Sequence, residues 1–597
     1  MSDPSAHYAA TLVARRRDLA RVERLSFAIS MARLAAFLLG VSSLAARAFA
    51  HAPAALYAAG ALLVAFVVLV IWHAKVAAEE ARLASAIVFA ERGLHRLAGD
   101  LEKLPPRGGS LADPPPYATD LDLVGPRSLL ALLDAMETDA SEARLFGWLS
   151  RPALPDEVRA RQAAAAELAA HPETLSALFV GARAGARSDR DLAAFVGWCR
   201  DGRAPPAGAA LRVLGVVIPL TTLTLALFSE RLGASPSLVL VPVVLSWAIS
   251  LAIALRADEG LLAAQRGARA LGRHGATLDA LLAITPRSPR LAAVAERLAV
   301  ARSALRSLDS IASWVDPREN PLFRTLIGPL VLYDVHLTLA LSSWRAAHGA
   351  KVDGWLDDLA DLLALAGVAV LRFDRPDYAF PAVEDGPLRF VAEGLAHPLV
   401  SPSARVANDV RFDGPGTALL VTGSNMSGKS TLLRAVGSAC VMAQAGAPVC
   451  ATALSISPLL VRSSIRVSDS LAAGVSHFYA ELLALKLVVD DADRGAPVLF
   501  LLDEILHGTN SRERQTGAKS VVAHLLAKGA MGAVSTHDVG LASLVDEHPG
   551  LVRAVHLVEQ AEGERMTFDY RLRDGILTSG NALKLMKSLG LPVDVTS

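Results

Sequence analysis

Cysteine is scarce in this chain. Only Cys199, Cys440 and Cys450 occur in 597 residues, far apart and without ligand-like spacing. That excludes a disulfide framework and a cysteine-rich zinc site, and it fits a reducing cytosolic setting for the bulk of the chain. Net charge is missing as well, since 59 Lys plus Arg balance 59 Asp plus Glu. A surface tuned as a whole to polyanions is thereby excluded, although a local basic groove is not. There is no low-complexity tract. The first twenty residues are polar and basic, and the apolar run behind them lacks a small-residue cleavage site, so no cleavable signal is expected. At this length one core does not suffice, and two to four domains are expected.

What the chain has in excess is apolar length. Ala and Leu are abundant, so the distribution of apolar residues carries more meaning than their total. Residues 52–74 bear no formal charge apart from His73, and residues 232–255 bear none. Both reach the roughly 20 apolar residues that a helix needs to cross a bilayer. Each follows a shorter apolar run: 27–46, interrupted by Arg33, and 213–228, containing Pro219. The pattern predicts two transmembrane hairpins with four crossings, Arg33 snorkelling toward an interface. Arg15, Arg16, Arg17, Arg21 and Arg24 precede the first hairpin, while Arg212 and Arg256 flank the second. By the positive-inside rule the N-terminus, the region between the hairpins and the C-terminal part face the cytosol, as in a bacterial-type inner-membrane protein. The alternative is a set of buried core helices.

Residues 423–430 read Gly-Ser-Asn-Met-Ser-Gly-Lys-Ser, the G-x-x-x-x-G-K-[ST] phosphate-binding pattern. It follows a strand-like run (Ala418, Leu419, Leu420, Val421) and opens a helix-like one from Thr431. Gly423 and Gly428 let the backbone curl so that N–H groups face phosphate oxygens at a helix N-terminus. Lys429 supplies positive charge, and Ser430 a hydroxyl for Mg²⁺. A second apolar strand, Val498–Leu502, ends in Asp503 and Glu504. In nucleoside triphosphatases the first such acid holds Mg²⁺ and the next positions the attacking water. The bland reading is a strand ending in a solvated acidic turn. A third run, 531–534, ends in Ser535-Thr536-His537-Asp538. A lone His is more often structural, but His537 at the carboxyl end of a core strand is well placed to meet a γ-phosphate.

These segments, with others, resemble the MutS family of dimeric DNA mismatch repair ATPases. The loop Thr422-Gly423-Ser424-Asn425-Met426-Ser427-Gly428-Lys429-Ser430-Thr431 resembles the family's phosphate loop, its Asn-Met pair being unusual elsewhere. Ser468-Asp469-Ser470-Leu471, Gly474-Val475-Ser476-His477-Phe478 and Ala480-Glu481-Leu482 resemble its signature segment, which implies that Ser476 reaches the nucleotide of a partner subunit. Asp503-Glu504, Gly508-Thr509 and Thr536-His537 follow in the family's order. Upstream, Arg144–Leu149, Pro152 and Arg159–Gln162 resemble the start of the helical core domain, and His397-Pro398-Leu399-Val400 the motif preceding the ATPase. The resemblance covers roughly residues 125–590. It implies ATP and Mg²⁺ as cofactors and a homodimer joined through the ATPase domains. Ser476 and Asn510 would then come from the opposite subunit. Where the family offers an aromatic to the adenine this chain has Arg405-Val406, so Arg405 is the candidate to stack on the base.

The expected fold is α plus α/β: a helical core- and lever-like region with two inserted transmembrane hairpins, then a C-terminal P-loop (ABC-type) α/β ATPase domain. Residues 1–25 form a basic cytosolic helix, 26–75 hairpin 1, 76–208 a helical MutS-core-like region and 209–256 hairpin 2. Residues 257–384 continue the helical region, and 385–597 form the ATPase with a C-terminal helix. No mismatch-reading domain is evident: Phe89-Ala90-Glu91 and Phe228-Ser229-Glu230 repeat the family's Phe-x-Glu only by coincidence. The expected function is a membrane-integrated, nucleotide-driven dimer switch. The rival is a membrane-tethered repair or recombination protein whose DNA groove would use Arg266, Arg269, Arg273, Arg287, Arg290, Arg297, Arg302 and Arg306. A transporter of the ABC type is disfavoured, because Leu-Ser-Gly-Gly is absent.

Overall fold

The computed structural model describes residues 3–576 apart from 51–53, 110, 112–113, 116, 134, 137, 186–188, 201–207, 230, 232, 234, 313–322, 425–426, 466–476, 507–508 and 563–564. Its principal helices are α1 (Pro4–Ala50), α2 (Ala54–Ala98), α3 (Asp139–Ser150), α4 (Pro155–Ala169), α5 (Pro172–Gly185), α6 (Asp189–Arg200) and α7 (Gly208–Phe228). They continue with α8 (Leu240–Arg273), α9 (Pro289–Ala312), α10 (Tyr333–His348), α11 (Val352–Asp374), α12 (Lys429–Ala445), α13 (His477–Asp493) and α14 (Ser511–Ala527). The strands are β1 (Ala382–Val383), β2 (Phe390–Leu395), β3 (Asn408–Phe412), β4 (Ala418–Thr422), β5 (Ala453–Ile456), β6 (Leu460–Ser464), β7 (Val498–Asp503), β8 (Met531–Thr536), β9 (Val552–Glu562) and β10 (Arg565–Asp574). The chain therefore has a helical N-terminal region and a mixed α/β C-terminal domain. It divides into two compact units, one of residues 1–135, 139–176 and 364–597, the other of 136–138 and 177–363.

In the first unit α1 and α2 pair as an antiparallel hairpin. Buried positions recur every seven residues, Ile29 and Ala36 on α1 and Val76, Leu83 and Ala90 on α2, the spacing that keeps one helix seam facing its partner. The apolar halves pack lightly: the Phe37 and Phe66 rings lie 6.1 Å apart and the Arg33 guanidinium sits 5.9 Å from the Phe66 centroid. Leu34, Phe37, Leu38, Leu63, Val64 and Ile71 are exposed. Both helices run unbroken through the positions where a separate N-terminal helix and a membrane hairpin were expected to divide, residues 25 and 75. No Gly or Pro interrupts α1 or α2 there, so backbone hydrogen bonding continues where composition changes.

The opposite end of this hairpin is polar and buried. Tyr8 donates its hydroxyl to Asp374 Oδ1 at 2.7 Å, and Arg96 Nε donates to Asp374 Oδ2 at 2.6 Å. Burial pushes the Tyr8 phenol well above its ordinary value, and the Asp374 carboxylate raises it further. The Tyr8 ring lies edge-on to Phe89 and Phe373, with centroids 5.9 and 5.6 Å away. Arg375 donates to the Arg96 and Leu97 carbonyls, satisfying the end of α2.

The same unit holds both sheets. A four-stranded sheet has the order β1-β5-β2-β3, and a six-stranded sheet the order β10-β9-β4-β8-β7-β6. In the larger one β9, β4, β8, β7 and β6 are parallel, and only β10 pairs antiparallel to β9. Strands buried on both faces read as continuous apolar runs, and β4, β7 and β8 do so because α12, α13 and α14 supply the cover. Leu420, Phe500, Leu502 and Val534 form a core with Leu485 and Val488 of α13 and Val522 and Leu525 of α14.

The second unit is helical. Ile218 of α7 packs with Leu332, Val335 and Leu339, and His336 Nε2 lies 3.1 Å from the Gly215 carbonyl. Further along α7, beyond Pro219 inside the helix, Leu220, Leu223 and Leu227 are exposed. Residue 256, expected to end hairpin 2, falls inside α8. Among the described residues three helices, 4–46, 54–98 and 208–228, are long and apolar enough to cross a membrane by composition. The expected span 232–255 contributes a shorter apolar helix, Ser237–Ile253. Four of the eight arginines of the expected basic groove face carboxylates: Arg290 pairs with Asp361, Arg297 with Asp358, and Arg302 and Arg306 share Asp279.

Candidate functional site

The site forms at the carboxyl edge of the six-stranded sheet. Registers Thr422↔Thr536 and Asp503↔Ser535 bring the ends of β4, β7 and β8 level. The loop after β4 turns at Gly428, whose φ of 99° suits a residue without Cβ. A Cβ there would also come within 2.9 Å of the Tyr570 ring. Lys429 opens α12 and is 4% exposed. Its Nζ donates to the carbonyls of Gly423 at 2.9 Å and Ser424 at 2.8 Å, and lies 3.4 Å from Glu504 Oε1. The ammonium is thus satisfied by its own loop and by the acid after β7.

Glu504 is the hub. Its backbone is left-handed, φ 47°, an uncommon conformation for a non-glycine residue. Its N–H donates to the Ser535 carbonyl at 3.0 Å, and Oε1 lies 3.1 Å from His537 Nδ1. Partial burial pushes the carboxyl up, but hydrogen bonding from His537 and the Lys429 charge outweigh that and hold it below its ordinary value. Asp503 accepts a close hydrogen bond from the Ser535 hydroxyl. Beyond His537, Asp538 is held by the Gly540 N–H and by Gln515 and Arg514 of α14. Burial raises its carboxyl and these donors prevail, so it too sits below its ordinary value.

Ser424, Gly428, Lys429, Ser430, Thr431, Asp503 and Glu504 line one cavity of about 650 Å³. That is a common size for a small-molecule site. Ser427 is buried nearby, its hydroxyl without a protein partner among the described residues. Asn425, Met426 and Ser476, with Gly508, lie outside the described residues. Asn510 caps α14 by accepting from the Glu513 N–H at 2.9 Å. Arg405 lines the cavity, but its guanidinium is engaged elsewhere than the expected base stack. It donates to Val400 O at 2.6 Å and Pro398 O at 2.7 Å, and lies 5.7 Å from the Tyr378 ring. It locks the His397–Val400 turn instead.

The aromatic ring in the cavity wall is Tyr570, which the sequence reading did not single out. It sits where the β9–β10 register shifts, with φ 53°. Asn408 secures that bulge, donating to Tyr570 O at 3.0 Å and accepting from Leu572 N–H at 2.7 Å. Nothing local marks Tyr570 in the sequence, because its place in the cavity wall comes from a bulge and from a strand residue 162 positions away in the chain.

Residues 419–597 match the family model described as MutS domain V. The C-terminal part of this chain is similar to domain V of the MutS family. Relatives include the DNA mismatch repair protein MutS of Thermotoga maritima, 29% identical over 236 residues, covering 39% of this chain and 29% of that protein. The Sorangium cellulosum protein of the same name is 33% identical over 256 residues, 41% of this chain and 28% of the relative. That of Methanosarcina mazei is 31% identical over 273 residues, 44% and 29% respectively. The chain thus spans less than a third of the length of these MutS relatives. The six-stranded sheet falls almost wholly within the matched domain, whereas the cavity also takes lining residues from the segment before it, Leu395 to Asn408.

Proposed function

We propose that the chain is a membrane-integrated ATPase of the MutS type, working as a homodimer through its ATPase domains. The observation that carries this reading is the convergence of Lys429, at 3.4 Å, and His537, at 3.1 Å, on Glu504 Oε1, with Lys429, Asp503 and Glu504 lining a cavity at the carboxyl edge of a parallel sheet. The residues fit a nucleotide and its metal. Ser430 and Asp503 are hard oxygen donors suited to Mg²⁺. A cation held jointly with phosphates and water needs only one or two such protein ligands. Bound Mg²⁺ would neutralise charge on the β- and γ-phosphates.

The chain's own residues do the rest by positioning. Lys429 exchanges its loop carbonyls for phosphate oxygens, while the N–H groups of Ser424, Gly428 and Thr431 line the phosphate track. Release of Lys429 leaves Glu504 free to orient water, with His537 beside the terminal phosphate. Ser476 completes the site from the partner subunit, as the family resemblance implies. Tyr570 offers the base an aromatic face. The exposed apolar halves of α1, α2 and α7, with helix 237–253, support insertion into a bilayer, with the ATPase and N-terminus cytoplasmic.

A second reading, a membrane-tethered mismatch repair or recombination protein, draws on the names of the relatives. The carboxylate-paired arginines between 290 and 306 weigh against it. ATP turnover of the detergent-purified protein, titrated with homoduplex and with mismatched DNA, separates the two. Turnover indifferent to DNA and lost in Lys429→Ala is the expected result. Stimulation greater for the mismatch would overturn it in favour of a repair sensor, and turnover surviving in Lys429→Ala would refute the site.

A further inference from the structure

Two non-glycine residues in the turn after β7 have left-handed backbones, Glu504 with φ 47° and Leu506 with φ 64°. Such a conformation is strained for a residue with a Cβ and persists only where its surroundings enforce it. The Leu506 side chain is buried and reaches α14 at Gly517, where a Cβ would come within 2.7 Å of Leu506 Cδ1. The Leu506 N–H makes a close hydrogen bond to Glu481 Oε1 of α13. Glu481 is 3% exposed, and its second oxygen has no hydrogen-bond partner among the described residues. A carboxylate this buried is expensive unless it accepts hydrogen bonds, and here the backbone of the turn is the donor the structure provides.

We propose that Glu481 is a positioning residue for Glu504, holding from behind the strained turn that aims the water-orienting acid at the cavity. The assignment rests on the ATP-hydrolysis reading. Glu481 itself does not line the cavity, so it acts through the Leu506 N–H and the two peptide units between that residue and Glu504. Loss of its acceptor lets the turn relax toward ordinary backbone angles and swings Glu504 away from Lys429 and His537. Nucleotide binding, which relies on the loop after β4, is untouched. Glutamine keeps an acceptor oxygen at the same reach; leucine removes it; aspartate keeps the charge but is one methylene too short.

The test compares steady-state ATP turnover and fluorescent-ATP binding of the full chain in detergent for wild type, Lys429→Ala, Glu481→Leu, Glu481→Gln and Glu481→Asp. Glu481→Leu is expected to lower kcat by about tenfold to a hundredfold, the scale of an ångström-level misplacement, with nucleotide affinity unchanged within about threefold. Glu481→Gln is expected to restore most of that turnover. Should the Leu variant misfold, Glu481→Asp carries the same expectation of lost kcat at retained affinity. Wild-type kcat in Glu481→Leu or Glu481→Asp, or a Gln variant as slow as the Leu variant, overturns the assignment alone. A wild type without turnover, or turnover surviving in Lys429→Ala, overturns the hydrolysis reading and this assignment with it.

Discussion

Replacing Asp374 by Asn tests whether the base of the first hairpin is clamped to the α/β unit by charge. Arg96 and Asp374 have side chains 4% and 1% exposed, and Asp374 accepts from both Arg96 Nε and the Tyr8 hydroxyl. Asn is nearly isosteric but neutral, so it leaves the Arg96 guanidinium buried without its counter-charge. Removing one partner of a buried pair costs about 3–5 kcal/mol, mostly because the remaining charge stays buried. At about 1.4 kcal/mol per tenfold, the opening equilibrium of α1 against α2 should rise by roughly two to nearly four orders of magnitude. Amide hydrogen exchange of segments 4–25 and 83–98 reads this directly in detergent-solubilised protein. Removing both charges, in Arg96→Met with Asp374→Leu, should recover most of the protection, since a well-packed apolar pair often matches a buried ion pair. Exchange unchanged in Asp374→Asn, or a double variant no better protected than the single one, would refute the clamp. Tyr8→Phe should cost less, about 1–3 kcal/mol, because it deletes the hydroxyl's hydrogen bonds with Asp374 and Arg96 and leaves the ion pair intact.

Asp538 and Glu504 both titrate below their ordinary range. The stability they contribute is therefore present above the unfolded carboxyl value near pH 4 and is lost as pH falls through it toward the lower folded values; Asp538→Asn should flatten part of that acid limb in denaturation midpoints measured from pH 6 to 3. Asn408→Ala removes both hydrogen bonds that secure the Tyr570 bulge, and fluorescent-ATP affinity should weaken by up to about thirtyfold, at about 1 kcal/mol per bond, while an affinity equal to wild type would detach Tyr570 from the nucleotide. Phe500 is fully buried between α13 and α14, so Phe500→Ala should destabilise the C-terminal domain by about 3–5 kcal/mol, seen as earlier thermal loss of ATP binding, whereas Phe500→Leu should cost markedly less.

Local chemistry made much of the site legible. A phosphate loop, an Asp-Glu pair ending an apolar run and a His ending the next each report what a strand end can offer, and the parallel sheet brings those ends together. Lys429, Asp503, Glu504 and His537 could be named from the chain because each sits at a fixed offset from a strongly patterned element. Tyr570, Asn408 and Glu481 could not be given roles. Their partners lie 162, 162 and 25 residues away, and their importance comes from a β-bulge and from a strained turn rather than from any motif. Arg405 shows the converse. Its position beside the cavity was readable, but which acceptors would take its guanidinium depended on how the 397–400 turn folds back.

The apolar runs divide along the same line. Composition by itself determined which segments suit a bilayer, because about 20 uncharged residues in a helix have few other uses. It did not determine where helices end, since helical hydrogen bonding carries α1, α2 and α8 across the changes from apolar to polar at 25, 75 and 256. Nor did it indicate that Tyr8, Arg96 and Asp374, spread over more than 360 residues, would share one buried cluster. Charge balance in the sequence likewise left a basic groove open, and only the fold shows that the four arginines on α9 face aspartates elsewhere in their unit. Sequence alone showed which residue types stand at each strand end and which segments are long apolar runs, because both depend on residues close together in the chain. Tertiary structure decided which buried charges meet and which backbone is held under strain, because those depend on contacts that only the packed fold creates.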